Sequence, residues 1–461
     1  MPNDLEEALT AVGASALIQK QIDPVLLEYV RRYAPLVRAT PTKPWSSNVY
    51  FFNQRTSLVS GGFVTDGGAR PVSTSTYTQN QFNIRQFQAV GAVTGYSEAV
   101  TSDLIGSLRA KEIQGAHQGV LWDIETAMLW GNQAATQFGP YPQFDGLDVI
   151  ASTYSGASQN AINWADAAFT LGTLDQVIDM VEQNVAAPVE STDWMFAASP
   201  TLNSRIAQLL TNQQRFIDQV EIAPGLIVNS YRNVPIVKSS FLSPRANVFG
   251  TVTSGTTTTT GVLAAGTYKY KVAPVINRFG EIQASAEVSQ AAGGGDTSII
   301  TLSFTPVTGP DGALANLYKV YRTAKDGSTN TETLLGVVDA VVAVGSDGVT
   351  PIVANQIVDT GATLIPQNST GPLQPSVINA AYTGGNAGAL PLAAGDQSVY
   401  LVSRDSDFVV RPYVRDLQPV DLYPTTSAPD ALPFAIVSDC TYAVRASKYL
   451  GRVSGVNVTL A

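Results

Sequence analysis

The sequence has few of the residues that enzymes use for chemistry, with one cysteine, Cys440, and one histidine, His117. One cysteine allows no disulfide within the chain and no paired-cysteine metal knuckle. One histidine allows no His-Glu-x-x-His zinc motif, and no nucleophile elbow, Walker loop or GxGxxG pattern is present. We therefore expect no enzyme, and neither catalytic, metal-binding nor cofactor-binding residues.

Four side chains remain as candidates for chemistry, and each has a simpler interpretation. His117 lies inside a predicted amphipathic helix, which favours a packed or interface residue over a base. Asp405 and Asp407 could pair or hold a cation, but two acids in one loop are more typical of a solvated turn. Cys440 lies in a predicted strand, where a buried cysteine acts as a small apolar residue.

Charge is also scarce, since 14% of the residues are charged, 44% are apolar and the net charge is −10. This balance excludes a disordered chain. A surface of Thr, Ser, Gln and Asn favours large uncharged contacts between subunits. Without a block of Lys or Arg, we expect no groove that grips nucleic acid.

Long apolar runs are missing as well. No run approaches the ~18 apolar residues that a membrane-spanning helix needs. Residues Met1 to Asp4 do not begin a basic and then apolar secretory signal. We therefore expect a chain that is made and folded in a cytoplasm and has no membrane partner.

A long hairpin arm is the most informative feature that is present. Two β-like runs, Val49–Leu58 and Tyr77–Val93, flank a glycine-rich tip. An isolated hairpin is marginally stable in water, so we expect the arm to bind another molecule, although a solvent-exposed loop is the alternative. The candidate contact residues of the arm are Arg55, Gly61, Gly62, Phe63, Asp66 and Arg70.

A long amphipathic helix is predicted next, from Ser97 to Trp130, with Gly131 ending it. At 1.5 Å per residue it would be roughly 50 Å long. Its buried stripe is predicted at Val100, Leu104, Leu108, Ile113, Ala116, Val120, Ile124 and Met128. An aromatic turn, Phe144–Leu147, follows the helix.

Alternating helices and strands are predicted between residues 164 and 237. They include a helix over Asp175–Asn184, a buried strand over Trp194–Ala198 and a helix capped by Ser199. Two helical pieces are also predicted in residues 4–33, where an arm along a neighbour and a packed surface helix fit the pattern equally.

The composition changes near Asn247, and the following residues alternate between apolar and polar. Short strands and Asp-Gly turns over about 115 residues predict a β-sandwich. The segments 266–272 and 277–285 resemble fibronectin type III or immunoglobulin-like modules. Because an α/β pattern resumes after Pro372, the sandwich is an insertion. Its tyrosines Tyr268, Tyr270, Tyr318 and Tyr321 are predicted to fill the core.

The order of these parts resembles the major capsid proteins of tailed bacteriophages, which have the Hong Kong 97-type fold. The connectors Phe144–Leu147, Ala198–Pro200 and Val234–Val237 are similar to that family's, and the resemblance covers nearly the whole chain. It implies an α+β fold in five parts. These are an N-terminal arm (1–47), an extended loop (48–95), a peripheral domain with a spine helix (96–159 and 404–461), an axial domain (160–246 and 373–403) and an inserted immunoglobulin-like β-sandwich (247–372).

The resemblance implies a coat protein that self-assembles as hexamers and pentamers into an icosahedral shell around double-stranded DNA, without sequence-specific binding. Peripheral domains would meet through Arg411, Arg415, Asp416 and Asp430. Scaffolding, portal and decoration proteins are expected partners, and the expected location is the virion, after synthesis in the cytoplasm of a host bacterium. Because residues 48–95 contain no lysine, we expect none of the lysine–asparagine cross-links that some family members form. The region before Ala39 is short for a scaffolding segment, so we expect a separate scaffolding protein.

Two alternatives stay open from the sequence. An encapsulin-like compartment shares the fold but would enclose a cargo enzyme. A glycan-binding protein would use the sandwich, with its tyrosines stacked on sugars.

Overall fold

A computed structural model gives the fold of the chain. It describes residues 34–68, 72–105, 107–131, 133, 143–153, 160–185, 187–212, 219–223, 226–242, 250–258, 261–276, 280–308, 314–344, 351–368, 391, 396–424 and 430–458. The helices predicted within residues 4–33 lie outside this part of the chain. The described helices are α1 (Pro35–Ala39), α2 (Gly95–Ile105), α3 (Leu108–Trp130), α4 (Leu147–Thr153), α5 (Leu171–Val185) and α6 (Pro200–Asn212).

The strands fall into four groups along the chain. The first two groups are β1 (Thr42–Pro44), β2 (Val49–Arg55), β3 (Tyr77–Asn83) and β4 (Arg85–Thr94), then β5 (Ala161–Ala168), β6 (Trp194–Ala198), β7 (Gln219–Ala223), β8 (Leu226–Tyr231) and β9 (Val234–Lys238). The third group is β10 (Thr253–Thr257), β11 (Gly266–Ile276), β12 (Gly280–Glu281), β13 (Val288–Ala292), β14 (Ile299–Ser303), β15 (Leu317–Arg322), β16 (Thr333–Asp339), β17 (Val341–Val344), β18 (Pro351–Val353), β19 (Gln356–Asp359) and β20 (Leu364–Gln367). The fourth group is β21 (Asp396–Ser403), β22 (Val409–Asp421), β23 (Ala431–Cys440), β24 (Ala443–Val444) and β25 (Leu450–Asn457).

The second run of the predicted hairpin is two strands rather than one. Strand β3 pairs with β2, whereas β4 leaves the hairpin and pairs with β23 over its whole length. The change of partner falls at Ile84, whose amide still bonds to the carbonyl of Asn48. Strand β4 thereby joins the sheet β1-β22-β23-β4, and only β2 and β3 form the free arm.

The predicted single long helix is also two helices. Ser107 has an extended backbone (φ −69°, ψ 108°) and its side chain accepts a hydrogen bond from the amide of Ala110, so it is the N-cap of α3. Helix α3 alone is about 34 Å long. Its C-terminal residues Ile124–Trp130 are all buried, while Val100 of the predicted stripe is exposed.

A seven-stranded sheet, in the order β5-β25-β21-β6-β9-β8-β7, forms the second body of the chain. The predicted helices and strands at 171–238 are confirmed by α5, α6, β6, β8 and β9. Strand β25 lies in this sheet and not beside β22 and β23, which corrects the expected return of the whole segment 404–461 to the sheet of the long helix. The reason is burial, since seven of the eight residues of β25 are buried and such a strand needs neighbours on both edges.

The insertion consists of two facing sheets, β10-β14-β19-β20 and β12-β11-β15-β16, with β13 on the free edge of β11. Its four predicted core tyrosines are buried, which confirms that prediction and leaves no exposed ring for stacking on a sugar. Tyr270 donates a hydrogen bond to Asp359 (2.8 Å), which also pairs with Arg322 (2.7 Å) and so links the two sheets.

The insertion packs directly on the end of α3. Gly280 has a left-handed backbone (φ +67°), and a Cβ atom there would lie 2.5 Å from the ring of Trp130. Val149 of α4 packs in one buried cluster with Val275 and Leu317 of the sandwich. The sandwich is therefore anchored to the body by packed side chains as well as by its two connections.

No helix in the described part of the chain is long and apolar enough to cross a membrane.

Candidate functional site

The free arm stands on an aromatic base. The ring of Trp45 meets that of Tyr50 edge-on at 4.8 Å between centroids, Tyr50 stacks on Phe52 (6.2 Å), and Phe52 stacks on Phe82 of the returning strand (5.8 Å). The guanidinium of Arg445 lies 5.4 Å over the ring of Tyr50. These contacts fix the direction in which the arm leaves the body.

Beyond this base the arm is held by polar contacts. The amide of Thr56 bonds to the carbonyl of Thr76 (2.9 Å), and the amide of Ser60 bonds to the hydroxyl of Ser73 (2.9 Å). The two chains of the arm therefore remain paired as far as Ser60. Nothing apolar from the body covers this part, since residues 55–64 are all exposed.

The tip of the arm exposes several apolar side chains. Phe63 is fully exposed, and Leu58, Val59 and Val72 are mostly exposed. Gly61 has no atom within 4 Å of where a Cβ would lie, Gly62 and Asp66 are exposed, and Arg55 lies 5.4 Å from the ring of Tyr77 within the arm. Arg70 lies outside the described residues. The tip therefore leaves apolar side chains in solvent, and the predicted contact of the arm with another molecule stays a prediction.

Three of the four residues predicted for contacts between peripheral domains lie in β22 of the sheet β1-β22-β23-β4, which we call the peripheral sheet, and Asp430 directly precedes β23. Arg411 is only 8% exposed, so its predicted place at a surface contact is wrong; its backbone pairs with Thr42 of β1 in the interior of the sheet. Arg415 makes a two-pronged ion pair with Asp439 of its own chain. Asp416 is exposed. Asp430 accepts a hydrogen bond from the amide of Tyr96 (3.1 Å) and so caps the start of α2.

Sequence reasoning missed a second exposed apolar set, at the far end of the peripheral sheet. It consists of Val90, Tyr96, Val100 and Tyr423, of which Tyr423 is 92% exposed. The ion pair between Arg109 and Asp421 (2.5 Å) lies at the same end. The alternating pattern of β4 could have signalled Val90, because its neighbours Ala89 and Gly91 take the inner face.

The other candidates for chemistry have structural roles. The carboxylate of Asp405 accepts a hydrogen bond from the amide of Asp407 (2.9 Å) in a tight exposed turn. Cys440 is fully buried, as predicted, and burial raises the pKa of its thiol to about 11. His117 is half-buried on α3. No group of three or more metal-ligating side chains occurs among the described residues.

A buried carboxylate joins three parts of the chain. Glu125 of α3 accepts hydrogen bonds from the amide of Leu36 in α1 (3.1 Å) and from the hydroxyl of Ser239 after β9 (2.7 Å). Desolvation raises the pKa of Glu125 to about 7, although these bonds to Ser239, Val37 and Leu36 oppose the rise. The segment that leads to the arm is therefore tied to α3 through a group that titrates near neutral pH.

We expect Glu125→Gln to stabilise the unassembled chain above pH 7. A pKa raised from 4.5 to about 7 means that the folded chain prefers the protonated acid. The stability that protonation supplies is present below pH 4.5 and is lost as the pH rises to about 7, by about 3 kcal/mol. The side chain of a glutamine can still accept a hydrogen bond from the amide of Leu36, and its amide group can donate one to the hydroxyl of Ser239.

Urea unfolding at pH 5 and pH 8 checks this expectation. The difference in unfolding free energy between the two pH values should shrink in the Glu125→Gln chain. Glu112→Gln on the exposed side of the same helix is the matched control and should leave that difference unchanged. Equal pH dependence in wild type and Glu125→Gln would contradict the assignment.

Three comparisons with known proteins bear on the site. The sequence model described as SU10 major capsid protein matches residues 12–253. No curated protein matches the sequence.

One similar solved structure is a chain of Mycobacterium phage Adephagia, with 12% sequence identity and a TM-score of 0.46; the match covers 98% of this chain and 100% of that chain. Another is the SrpI encapsulin of Synechococcus elongatus, with 12% identity and a TM-score of 0.45; the match covers 98% of each chain. A third is a capsid chain of an empty GTA particle, with 8% identity and a TM-score of 0.45; the match covers 97% of this chain and 98% of that chain.

The described elements follow the order that the sequence predicted, with an arm, a long helix, a seven-stranded sheet and an inserted sandwich. The predicted α+β Hong Kong 97-type fold is confirmed. The match to residues 12–253 covers more than half of the 461 residues. This chain therefore belongs to the SU10 major capsid protein family, whose members are structural subunits of a virion capsid shell.

Proposed function

We propose that the chain assembles as hexamers and pentamers into a closed icosahedral shell that encloses double-stranded DNA. The observation that carries the proposal is the arm, which is paired as far as Ser60 and leaves the apolar side chains of its tip in solvent. Such a surface on an isolated chain costs free energy that burial against a neighbour would recover. Many weak contacts of this kind are enough, because a closed shell engages them together.

In this proposal each part of the chain has one task. Strands β2 and β3, with the tip between them, form the extended loop that lies across a neighbouring subunit, so the predicted loop (48–95) is shortened by β4, which belongs to the body sheet. The seven-stranded sheet surrounds the axis of each hexamer or pentamer. The exposed end of the peripheral sheet, with Tyr96 and Tyr423, meets other subunits at three-fold positions. The sandwich projects from the shell.

The proposed partners follow from the same assignment. A separate scaffolding protein would direct assembly, a portal would occupy one vertex, and decoration proteins would bind the outside. The DNA would be confined mechanically, because a chain with a net charge of −10 has little attraction for phosphates. Synthesis would take place in the cytoplasm of a host bacterium, and the chain would have no enzymatic step of its own.

Negative-stain microscopy of the chain, expressed alone and with its neighbouring genes, tests the proposal. Closed icosahedral shells in either preparation are the expected result. Stable monomers under both conditions would contradict it. Shells that hold a protein cargo instead of nucleic acid, after expression with neighbouring genes, would favour the encapsulin-like alternative.

We also expect assembled shells to contain no covalent links between subunits. Residues 48–95 have no lysine, and the nearest one, Lys43, lies in β1 at the edge of the peripheral sheet. Shells boiled in detergent should therefore run as a single band at the 48.7 kDa of the chain. A ladder of higher bands would overturn this prediction, and Lys43→Arg would then show whether Lys43 forms the link.

A further inference from the structure

Two adjoining cavities lie under the base of the arm. One has a volume of about 730 Å³ and the other about 580 Å³, and both are lined by Phe52 and Arg445. Strand β2 forms one wall and the segments 407–408 and 445–449 form the other. We call these cavities together the hairpin-base groove.

The groove combines aromatic walls with a cationic rim. Phe408 and Tyr449 stack with their ring centroids 3.6 Å apart, and both line the larger cavity. Four of its lining residues are cations and one is an acid: Lys43, Arg55, Arg445, Lys448 and Asp407. The Nε atom of Arg445 is buried and has no hydrogen-bond partner among the described residues. The groove therefore fits a ligand with an apolar anchor and a negative charge.

The tip of the arm has this chemistry. Phe63 is fully exposed and is flanked by other exposed apolar residues. Asp66, three residues further on, supplies an exposed carboxylate; Arg70 of the same tip lies outside the described residues. An aromatic anchor that enters an aromatic pocket beside a charged contact is typical of the residues that dominate protein interfaces.

The tip cannot enter the groove of its own chain. The groove ends at Thr56, and the arm stays paired for four more residues, to Ser60, so at about 3.3 Å per residue the pairing holds the tip about 13 Å beyond the outer end of the groove. If a tip fills the groove, that tip must therefore belong to a second copy of the chain. A contact between two different surfaces of identical subunits is head-to-tail, and such contacts form a ring when the rotation between subunits closes.

We propose that Phe63 of one subunit seats in the hairpin-base groove of the next subunit around the ring, with Asp66 beside Lys448. This inference rests on the proposed function and names the surface that receives the extended loop. Each arm then covers the base of the following arm.

Cysteine pairs test the docking in assembled shells. The only native cysteine, Cys440, is buried, so new surface cysteines react without background. Shells of the double variant Phe63→Cys, Lys448→Cys should give a ladder of linked chains with a short bismaleimide. Mixed shells of the two single variants should give dimers. The matched control is Phe63→Cys with Val262→Cys, because Val262 is exposed on the sandwich and should give no ladder.

The outcomes separate the inference from the proposed function. Absence of shells from the unmodified chain would reject both. Normal shells without a ladder in the double variant would reject the docking alone. Links from Lys448→Cys to Asn3→Cys, with none to Phe63→Cys, would also reject it, because they would assign the groove to the acidic segment of Asp4, Glu6 and Glu7.

A second measurement keeps the test independent of cross-linking. Phe63→Ala should raise the chain concentration needed for shell formation by about tenfold or more, since burying a phenylalanine is worth about 1.5–3 kcal/mol. The unassembled chain should be as stable as wild type, because this side chain contacts nothing in it. Val262→Ala is the control, and an equal effect of the two substitutions would overturn the proposal.

Discussion

Asp148→Ala should lower the unfolding free energy of the unassembled chain by about 3–5 kcal/mol. Asp148 and Arg452 are both fully buried, with 3.0 Å between the carboxylate and Nη2 of the arginine. Tyr400 also donates to this carboxylate (2.9 Å), and its burial raises the pKa of the hydroxyl so that it stays protonated. Removal of the acid leaves the guanidinium without its anionic partner in the interior.

Urea unfolding followed by tryptophan fluorescence measures this loss, because the ring of Trp130 lies 6.5 Å from that of Tyr400. Tyr400→Phe removes one hydrogen bond and should cost about 1 kcal/mol. In the double variant Asp148→Leu, Arg452→Met the loss should be smaller than for Asp148→Ala, since no charge is then left unpaired. A change below about 0.5 kcal/mol in Asp148→Ala would show that the pair does not hold α4 against β25.

Gly146→Ala is expected to destabilise the chain by about 3 kcal/mol, at the upper end of what overpacking costs. A Cβ at this position would lie 2.6 Å from the carbonyl oxygen of Ala127 and 2.8 Å from the amide nitrogen of Gly131. Both are backbone atoms at the end of α3, and the amide of Gly146 itself bonds to the carbonyl of Gly131 (2.8 Å). Neither side can move without breaking this contact between the end of α3 and the residue that precedes α4.

Gly115→Ala, within α3, provides the matched control. No atom lies within 4 Å of a Cβ at Gly115, so alanine should stabilise α3 by about 0.5–1 kcal/mol. The thermal midpoint of each variant gives the comparison. If Gly146→Ala melted with wild type, the close approach of the two chain segments would not be essential.

The parts of the fold that depend on local pattern could be predicted from the sequence. Alternation placed Tyr268, Tyr270 and Tyr318 in the sandwich core, and the apolar run Trp194–Ala198 marked a central strand. The hydroxyl of Ser199 accepts a hydrogen bond from the amide of Leu202 and so caps α6, as its position predicted. In each case the deciding interactions lie within a few residues along the chain.

The errors came from contacts between distant segments. Arg411 looked like a surface charge, but it is buried and its backbone pairs with a strand about 370 residues earlier in the chain. The apolar stripe of the long helix runs on past Ser107, so periodicity alone did not show that a serine cap divides it. The chemistry of the arm tip was readable from its composition, whereas the groove under its base is built by β2 together with the segment 445–449 and could not be.

The two body sheets depend on strands that follow the insertion in the sequence. Strands β22 and β23 lie between β1 and β4, and strands β21 and β25 lie between β5 and β6. When residues up to 367 have been made but residues from 396 have not, β4, β5 and β6 each lack a central neighbour, whereas every described strand of the sandwich is present. A chain released early would thus carry a complete insertion on an incomplete body.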